Sequence, residues 1–277
     1  MTDQTEHHFE THEPVELYVE NGRGTVEVRA TDTTETTVHL EGPEAEHVRV
    51  ELDGRLLSVV APERRSGLFS GDRALDVVIT LPSGSAVGAK LGSADLRVTG
   101  STSHAQVRSG SGDVSFEALT DTAVVETGSG DVRVGAVGGD LRIKSGSGDV
   151  TLDTVSAAVA ASTGSGGVAV RESTGALVVK TGSGDLVVGR TSADVGLTTG
   201  SGDARVDLVT AGTVRVKGAS SDVRVGVAGG VPVWTDVSSL TGSIRSDLVG
   251  AGKPGPDQQH VEIRAVTVSG DVVLEQR

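Results

Sequence analysis

The chain of 277 residues contains 39 glycines but only one Trp, one Tyr and three Phe, so it has few large side chains to fill a wide core. Its formal net charge is −14 and it shows no basic stripe, which argues against binding of nucleic acid or of an anionic membrane. The chain has no Cys, which excludes disulfides and thiolate chemistry. We therefore expect a thin core of Val, Ala and Leu, without the aromatic-lined pocket typical of many enzymes.

The N-terminal segment, 1–82, contains strand-like stretches but no repeat. Apolar residues that alternate with polar ones predict strands over residues 15–20, 25–29, 37–40, 48–52, 56–60 and 75–81, with a loop at 63–73. His7, His8 and His12 form the only histidine cluster, and we expect them to lie on a flexible terminus rather than to bind a metal. The polar beginning of the sequence and the lack of any apolar run long enough to span a membrane predict a cytoplasmic protein without a signal peptide or transmembrane segment.

The segment 83–229 is an internal repeat with an 18-residue period. The motif Thr-Gly-Ser-Gly-Asp-Val recurs with few changes, Gly167 replaces the aspartate in one copy, and the final copy is shifted by a one-residue insertion. In each unit the first and third residues after the acidic position are apolar, and a second apolar pair follows half a repeat later. This alternation predicts two short strands per unit. The acidic position falls at Asp95, Asp113, Asp131, Asp149, Asp185, Asp203 and Asp222.

Stacking of these units can bury an apolar face that one unit alone would leave exposed. The sequence therefore predicts an all-β protein, a parallel β-solenoid (β-helix) with 18-residue coils and two short strands per coil, capped by irregular β-structure at both ends. The predicted domains are an N-terminal β cap at 1–82, the regular solenoid at 83–229, and irregular coils with a C-terminal cap at 230–277. Glycine pairs such as Gly128 and Gly130 are expected to give the turns positive φ angles.

The last part of the chain loses the regular register. Residues 250–260 contain two prolines and predict an extended loop. Strands are predicted again over Val261–Leu274, where they would close the C-terminal end of the solenoid. Trp234, the only tryptophan, is expected to pack in that cap rather than to bind a ligand.

The motifs as a whole resemble a known family. The strand that ends in Ile-Thr-Leu-Pro-Ser-Gly at residues 79–84, the Gly-Ser-Gly-Asp-Val repeats, and the final Val-Thr-Val-Ser-Gly-Asp-Val at 266–272 are similar to the DUF4097 family. These are bacterial and archaeal β-strand-repeat proteins, often labelled candidate adhesins. The resemblance covers nearly the whole chain. It implies the repeat fold and carries no agreed biochemical activity.

The aspartate row has two interpretations. A calcium ladder is the first, with Asp113, Asp131 and Asp149 as weak metal candidates. The repeats-in-toxin motif, however, places one residue between the last turn glycine and the aspartate, whereas here they are adjacent. The second interpretation, which we favour, is that each carboxylate accepts hydrogen bonds from turn amides.

An outward row in the second half-repeat is a candidate interaction face. It contains Val124, Arg142, Ala160 and Val178, flanked by Gln106 and Gly196. Apolar residues in such a row mark either a partner surface or ordinary surface scatter, and both readings stay open.

Catalysis is not expected from this sequence. It shows no placed nucleophile and base and no phosphate-binding loop, so we expect no enzyme activity and no cofactor. The sequence predicts a non-enzymatic β-solenoid scaffold or protein-interaction module, with a protein partner or self-association. The alternatives are a self-assembling structural protein comparable to bactofilins, and an adhesin-like protein that binds calcium or carbohydrate.

Overall fold

A computed structural model of the protein describes residues 3–62, 74–249 and 259–277. Within those ranges the chain is almost entirely β-strand, with one short 3-10 helix at Ala45–His47 and no helix long and apolar enough to cross a membrane. The predicted loop at 63–73 and most of the one at 250–260 lie outside the described residues. The chain divides into two compact units, residues 1–139 and 140–277. In both units parallel strands stack in two sheets, which confirms the predicted all-β parallel solenoid.

Unit 1 consists of residues 1–139. Its strands are β1 (Asp3–Glu10), β2 (Glu16–Asn21), β3 (Gly24–Thr31), β4 (Glu35–Gly42), β5 (Arg49–Asp53), β6 (Leu56–Val60), β7 (Leu75–Pro82), β8 (Ala86–Leu91), β9 (Asp95–Thr102), β10 (Ala105–Ser109), β11 (Val114–Leu119), β12 (Ala123–Thr127) and β13 (Val132–Val137). One sheet, the A sheet, has the order β1-β4-β7-β3-β9-β11-β13 and includes the strands that follow the aspartate turns, β9, β11 and β13. The second sheet, the B sheet, has the order β5-β6-β2-β8-β10-β12 and includes the strands of the second half-repeats, β10 and β12.

Unit 2 consists of residues 140–277. Its strands are β14 (Leu141–Ser145), β15 (Val150–Val155), β16 (Val159–Thr163), β17 (Val168–Ser173), β18 (Leu177–Thr181), β19 (Leu186–Thr191), β20 (Val195–Thr199), β21 (Ala204–Val209), β22 (Gly212–Lys217), β23 (Val223–Val227), β24 (Val233–Ser239), β25 (Ile244–Ser246), β26 (Val261–Thr267) and β27 (Val272–Gln276). The A sheet has the order β15-β17-β19-β21-β23-β27-β25, and the B sheet has the order β14-β16-β18-β20-β22-β26-β24.

The core is a stack of identical positions from successive coils. In the A sheet of unit 2, Val150 pairs with Val168, and Val168 with Leu186, each one repeat further along the chain. All three are at most 3% exposed. The described buried apolar residues of unit 2 are all aliphatic, and burial of each such Val or Leu side chain contributes about 1.5–3 kcal/mol. The alternation predicted from the sequence correctly gives the buried face.

The glycines of the turns serve close packing rather than positive φ. Neither Gly128 nor Gly130 lies in the left-handed region, so that prediction is wrong. A Cβ atom on Gly130 would lie 2.0 Å from the carbonyl oxygen of Gly112 in the preceding coil. Backbones one coil apart approach so closely at the turn that no larger residue fits. Positive φ is required instead at Gly212, at φ 94°, beside the one-residue insertion that makes Val195 pair with Val214.

The N-terminal part of unit 1 does not follow chain order. The six predicted strands are confirmed as β2 to β7, but β1 was missed. Strands β2 and β3 lie between β6–β7 on one side and β8–β9 on the other. Beyond them, β4 and β1 add antiparallel strands to the A sheet, and β5 does so to the B sheet.

The C-terminal part of unit 2 is also out of order. The predicted strands over 261–274 are confirmed as β26 and β27, but they do not close the end. They insert between β22–β23 and the outermost strands β24 and β25. The outermost coil is therefore formed by an earlier part of the chain than the coil beneath it. The division into 1–82, 83–229 and 230–277 stays a prediction.

Candidate interaction faces

The aspartate row forms a ladder of hydrogen bonds between coils. In unit 1, Asp95 Oδ1 accepts from the N–H of Asp113 at 2.9 Å, and Asp113 Oδ1 accepts from the N–H of Asp131 at 2.9 Å. The expected hydrogen-bonding role is thus confirmed, but the donor is the equivalent residue of the next coil. Strand spacing of about 4.8 Å brings that amide within reach of the carboxylate. In unit 2 the bond, at 2.8 Å, joins Asp149 to Gly167, Asp185 to Asp203, Asp203 to Asp222, and Asp222 to Asp271.

The last member of this ladder has a shifted pKa. The backbone N–H of Ser243 donates to Asp271 Oδ1 at 2.8 Å, and this bond lowers the pKa of the Asp271 carboxyl, with smaller contributions from the Ser243 side chain and the Arg245 charge. Hydrogen bonds of this kind favour the ionised carboxylate.

The three weak metal candidates already have partners. Arg133 lies 2.8 Å from Asp131 Oδ2 and 3.5 Å from Asp113 Oδ2, and Asp149 accepts from Gly167. Among the described residues, no group of three His, Asp or Glu side chains could hold a metal ion. A cation-binding role for these aspartates stays a prediction.

The predicted interaction row is placed as follows. Val124 lies on β12 and is half-buried beside Gln106 on β10. In unit 2, Arg142, Ala160 and Val178 are direct neighbours on β14, β16 and β18, on the outer face of the B sheet. Val178 is 48% exposed. The structure therefore brings three of the four residues together in one unit.

Besides Arg142, the same face carries four basic residues that the sequence reasoning missed. We define the basic face as Arg142, Lys144, Lys180, Arg215 and Lys217, on β14, β18 and β22. Two rows cross it: Lys144-Ser162-Lys180-Thr198-Lys217 and Arg142-Ala160-Val178-Gly196-Arg215. No acidic residue occupies an outward position on β14, β16, β18, β20 or β22. A scan for basic residues two repeats apart would have found the lysine row, whereas a search for a basic run could not.

Several other predicted positions differ in the structure. Trp234 is 50% exposed at an outward position of the edge strand β24, with the Arg264 guanidinium 5.3 Å from its ring centre, so the prediction of a packing role is wrong. His7 and His8 lie on β1, paired with β4, rather than on a flexible terminus. Successive residues of a strand point to opposite faces, so residues two apart share a face. The ring of His7 therefore stacks on Phe9, and His8 lies 3.3 Å from Glu6 on the other face.

Two open grooves lie on the A side of unit 2. One, of about 410 Å³, is centred on Gly167, where the missing carboxylate leaves space between Asp149 and Asp185. The other, of about 430 Å³, runs beside Asp185, Asp203, Asp222 and Asp271 and includes Arg205, Arg224 and Arg245. Both grooves are shaped by the turn ladder and by the outward row next to it.

Two polar groups, the Tyr18 hydroxyl and the Ser221 hydroxyl, stand apart from the repeat pattern. On β2, the Tyr18 hydroxyl donates to the Glu20 carboxylate, which raises the pKa of Tyr18 to about 12 and lowers that of Glu20. Lys90 also lies 3.2 Å from Glu20. Near the end of the ladder, the buried Ser221 hydroxyl has no hydrogen-bond partner among the described residues, whereas Ser109 donates to the Gly112 carbonyl at 2.8 Å.

Parallel strands stacked in two sheets and an aspartate ladder between coils define a parallel β-solenoid repeat protein. The family profile described as Toastrack DUF4097 matches residues 15–275, and the chain belongs to this family. The resemblance seen in the sequence is thereby confirmed. No curated protein sequence matches the chain significantly.

The chain is similar to solved structures from several bacteria. One is a candidate cell adhesion protein from Clostridium sporogenes ATCC 15579, at 12% identity over 99% of this chain and 100% of that chain, with a TM-score of 0.25. A second is a candidate lipid binding protein from Parabacteroides distasonis ATCC 8503, at 14% identity over 80% and 96%, with a TM-score of 0.49. A third is a candidate adhesin from Parabacteroides merdae ATCC 43184, at 11% identity over 98% and 95%, with a TM-score of 0.41. Such low identities and TM-scores transfer no function to this chain.

Proposed function

We propose that this protein is a non-enzymatic β-solenoid scaffold that binds a protein partner through the outer face of its B sheet in unit 2. The observation that carries the proposal is the alignment of exposed side chains across five paired strands of that face. On this face apolar Ala160 and Val178 lie in one row between Arg142 and Arg215, which offers both apolar contact area and polar specificity, as protein interfaces do.

A comparison of two variants tests this proposal. Val178→Asp places a charge in the middle of the face, and Thr151→Asp places the same charge at an outward position of the A sheet in the same unit. Affinity purification after crosslinking in the source cells should lose the same specific partner with Val178→Asp and retain it with Thr151→Asp. Equal recovery with both variants contradicts the proposed face.

Self-assembly through strand edges is a second candidate function. In the described part of unit 2, β24 and β25 are edge strands, and near them Leu240 is 78% exposed and Ile244 is 48% exposed. Exposed apolar edge strands are templates for pairing with another chain. Size-exclusion chromatography with light scattering, across protein concentration and in EDTA or calcium, tests it. A molar mass that rises with protein concentration, with or without calcium, supports self-assembly. A molar mass that rises only in calcium supports the adhesin-like alternative, and a single 28.0 kDa species contradicts both.

A cytoplasmic location stays a prediction of the sequence, and cell fractionation with a tagged chain is the measurement that checks it.

A further inference from the structure

The charge of the protein is distributed very unevenly between its units. Residues 1–139 contain 11 basic and 23 acidic residues, a net charge of −12, whereas residues 140–277 contain 13 and 15, a net charge of −2. The acidic character therefore belongs almost entirely to unit 1. Unit 2 is close to neutral, and five of its 13 basic residues form the basic face.

Three cations of the basic face, Lys180, Arg215 and Lys217, have little internal compensation. Lys180 lies between Ser162 and Thr198, and Lys217 lies between Thr198 and Val266, so their cross-strand neighbours are uncharged. Arg215 lies opposite Arg264, a like charge. Neither Lys180, Lys217 nor Arg215 forms an ion pair with a described residue. Such a face gains more from an anionic partner than one whose charges are already paired.

Unit 1 presents a complementary face. We define the acidic face as Glu6, Glu10, Glu35, Glu41 and Asp76, all exposed at outward positions of β1, β4 and β7 in the A sheet. Glu10 lies directly opposite Glu35, and Glu41 opposite both Gln4 and Asp76. Like charges that face each other across strands are destabilising, so a cationic partner would relieve two repulsive pairs here.

We infer that the basic face of unit 2 binds the acidic face of unit 1 in a second copy of this chain. On both faces the charges lie on paired strands, which are about 4.8 Å apart. The lysine row carries a cation on every second strand, about 9.6 Å apart. The carboxylates of the acidic face lie on adjacent strands, so one cation of a second copy can approach both members of a repulsive pair. This inference rests on the proposed function, because it uses the same outer face and names its partner.

The dimensions of the face predict a weak association. Five strands of about five residues each cover roughly 19 Å by 17 Å, or about 320 Å² per partner. This is well below the ~800 Å² per partner of stable complexes, so the contact should be transient and strongly dependent on salt. The narrow strip also carries no aromatic residue on β14 to β22, which disfavours single-stranded nucleic acid, a ligand that binds by base stacking.

Sedimentation velocity of the full chain tests this inference. We expect association at about 0.01 M salt, where the Debye length is about 30 Å, and monomers at about 1 M salt, where it is about 3 Å. The triple variant Lys180→Glu, Arg215→Glu, Lys217→Glu should raise the dissociation constant of self-association at least tenfold. The matched control, with Arg171→Glu, Arg190→Glu and Arg224→Glu on the A sheet, has the same net charge and should still associate. Circular dichroism and Tm check folding, and the corresponding alanine triple gives a milder variant if a reversal fails to fold.

A complementary exchange makes the test specific. The variant Glu10→Lys, Glu35→Lys, Glu41→Lys should fail to associate by itself but should associate when mixed with the basic-face reversal. A wild-type chain that stays monomeric at low salt, or a mixture that stays monomeric, overturns the inference. In that case, binding of an oligoglutamate peptide to the basic face still supports a protein partner, whereas binding of a single-stranded oligonucleotide instead overturns the proposed function as well.

Discussion

Gly167 is the one position where the aspartate ladder is interrupted within the regular coils, and restoring its side chain should stabilise the protein. The N–H of Gly167 donates to Asp149, but Gly167 offers no carboxylate to the N–H of Asp185. A Cβ atom at Gly167 would lie 3.5 Å from the Asp185 carbonyl oxygen and 3.9 Å from its nitrogen, and the residue does not have a positive φ. A side chain therefore fits without backbone strain.

The expected gain has two parts. Replacing glycine where the backbone is compatible stabilises by about 0.4–1 kcal/mol, through the entropy of the unfolded chain, and this part is shared by Gly167→Ala. The new hydrogen bond adds about 0.5–1.5 kcal/mol in Gly167→Asn and Gly167→Asp. In Gly167→Asp the new carboxylate lies one strand spacing from two others, and each repulsion costs about 0.9 kcal/mol in water. We therefore expect Asn to be the best replacement at low salt, with Asp approaching it as salt rises.

Hydrogen exchange of the Asp185 amide measures the bond directly. Its exchange should slow roughly five- to tenfold in Gly167→Asn relative to Gly167→Ala, which corresponds to about 1–1.4 kcal/mol. Denaturant unfolding measures the free energy of unfolding of the whole chain, but long repeat arrays can unfold without full cooperativity, so the amide exchange is the more direct measure. Equal protection of this amide in the Ala and Asn variants would refute the ladder as a source of stability.

Three further predictions concern other parts of the molecule. Gly130→Ala should destabilise the protein by about 1–3 kcal/mol, because the new Cβ would lie 2.0 Å from a backbone oxygen. Gly196→Ala should be nearly neutral, because the nearest atom to its Cβ lies at 3.8 Å, and urea unfolding of both variants compares them. Ser221→Ala should be neutral or stabilising, because the buried hydroxyl it removes has no described partner; a loss above about 1 kcal/mol in the same melts would contradict this. Ultraviolet titration of Tyr18, the only tyrosine, should give a pKa of about 12, and Glu20→Gln should move it back toward 10.0; an unchanged midpoint would count against the Glu20 contact.

The carboxylates with lowered pKa make the free energy of unfolding depend on pH in the acidic range. Asp271, held by the Ser243 amide, and Glu20, held by Tyr18, have folded-state pKa values below their unfolded ones. Their contribution is therefore present above the unfolded pKa and is lost as the pH falls through the folded pKa. Unfolding curves measured from neutral pH down to about 2 should show stability decreasing below about pH 4, and Ser243→Pro, which removes the donor amide, should flatten the part due to Asp271.

Much of the fold was determined by the sequence alone. Period-two alternation sets which side of each strand faces the core, and the 18-residue repeat requires that Val150, Val168 and Leu186 occupy equivalent positions. Because stacking equivalent apolar positions buries their faces, the solenoid follows from local pattern. The aspartates could likewise be assigned to hydrogen bonding from their turn position.

Only the tertiary structure decided how distant segments meet. Local sequence does not reveal that β2–β3 and β26–β27 insert between coils, since either order buries the same apolar faces and only long-range packing distinguishes them. The turn glycines gave a wrong prediction for a related reason: what constrains Gly130 is the carbonyl of Gly112 in the neighbouring coil, not its own φ. The basic face likewise forms because stacking places Lys144, Lys180 and Lys217 in one row, although each is two repeats from the next along the chain.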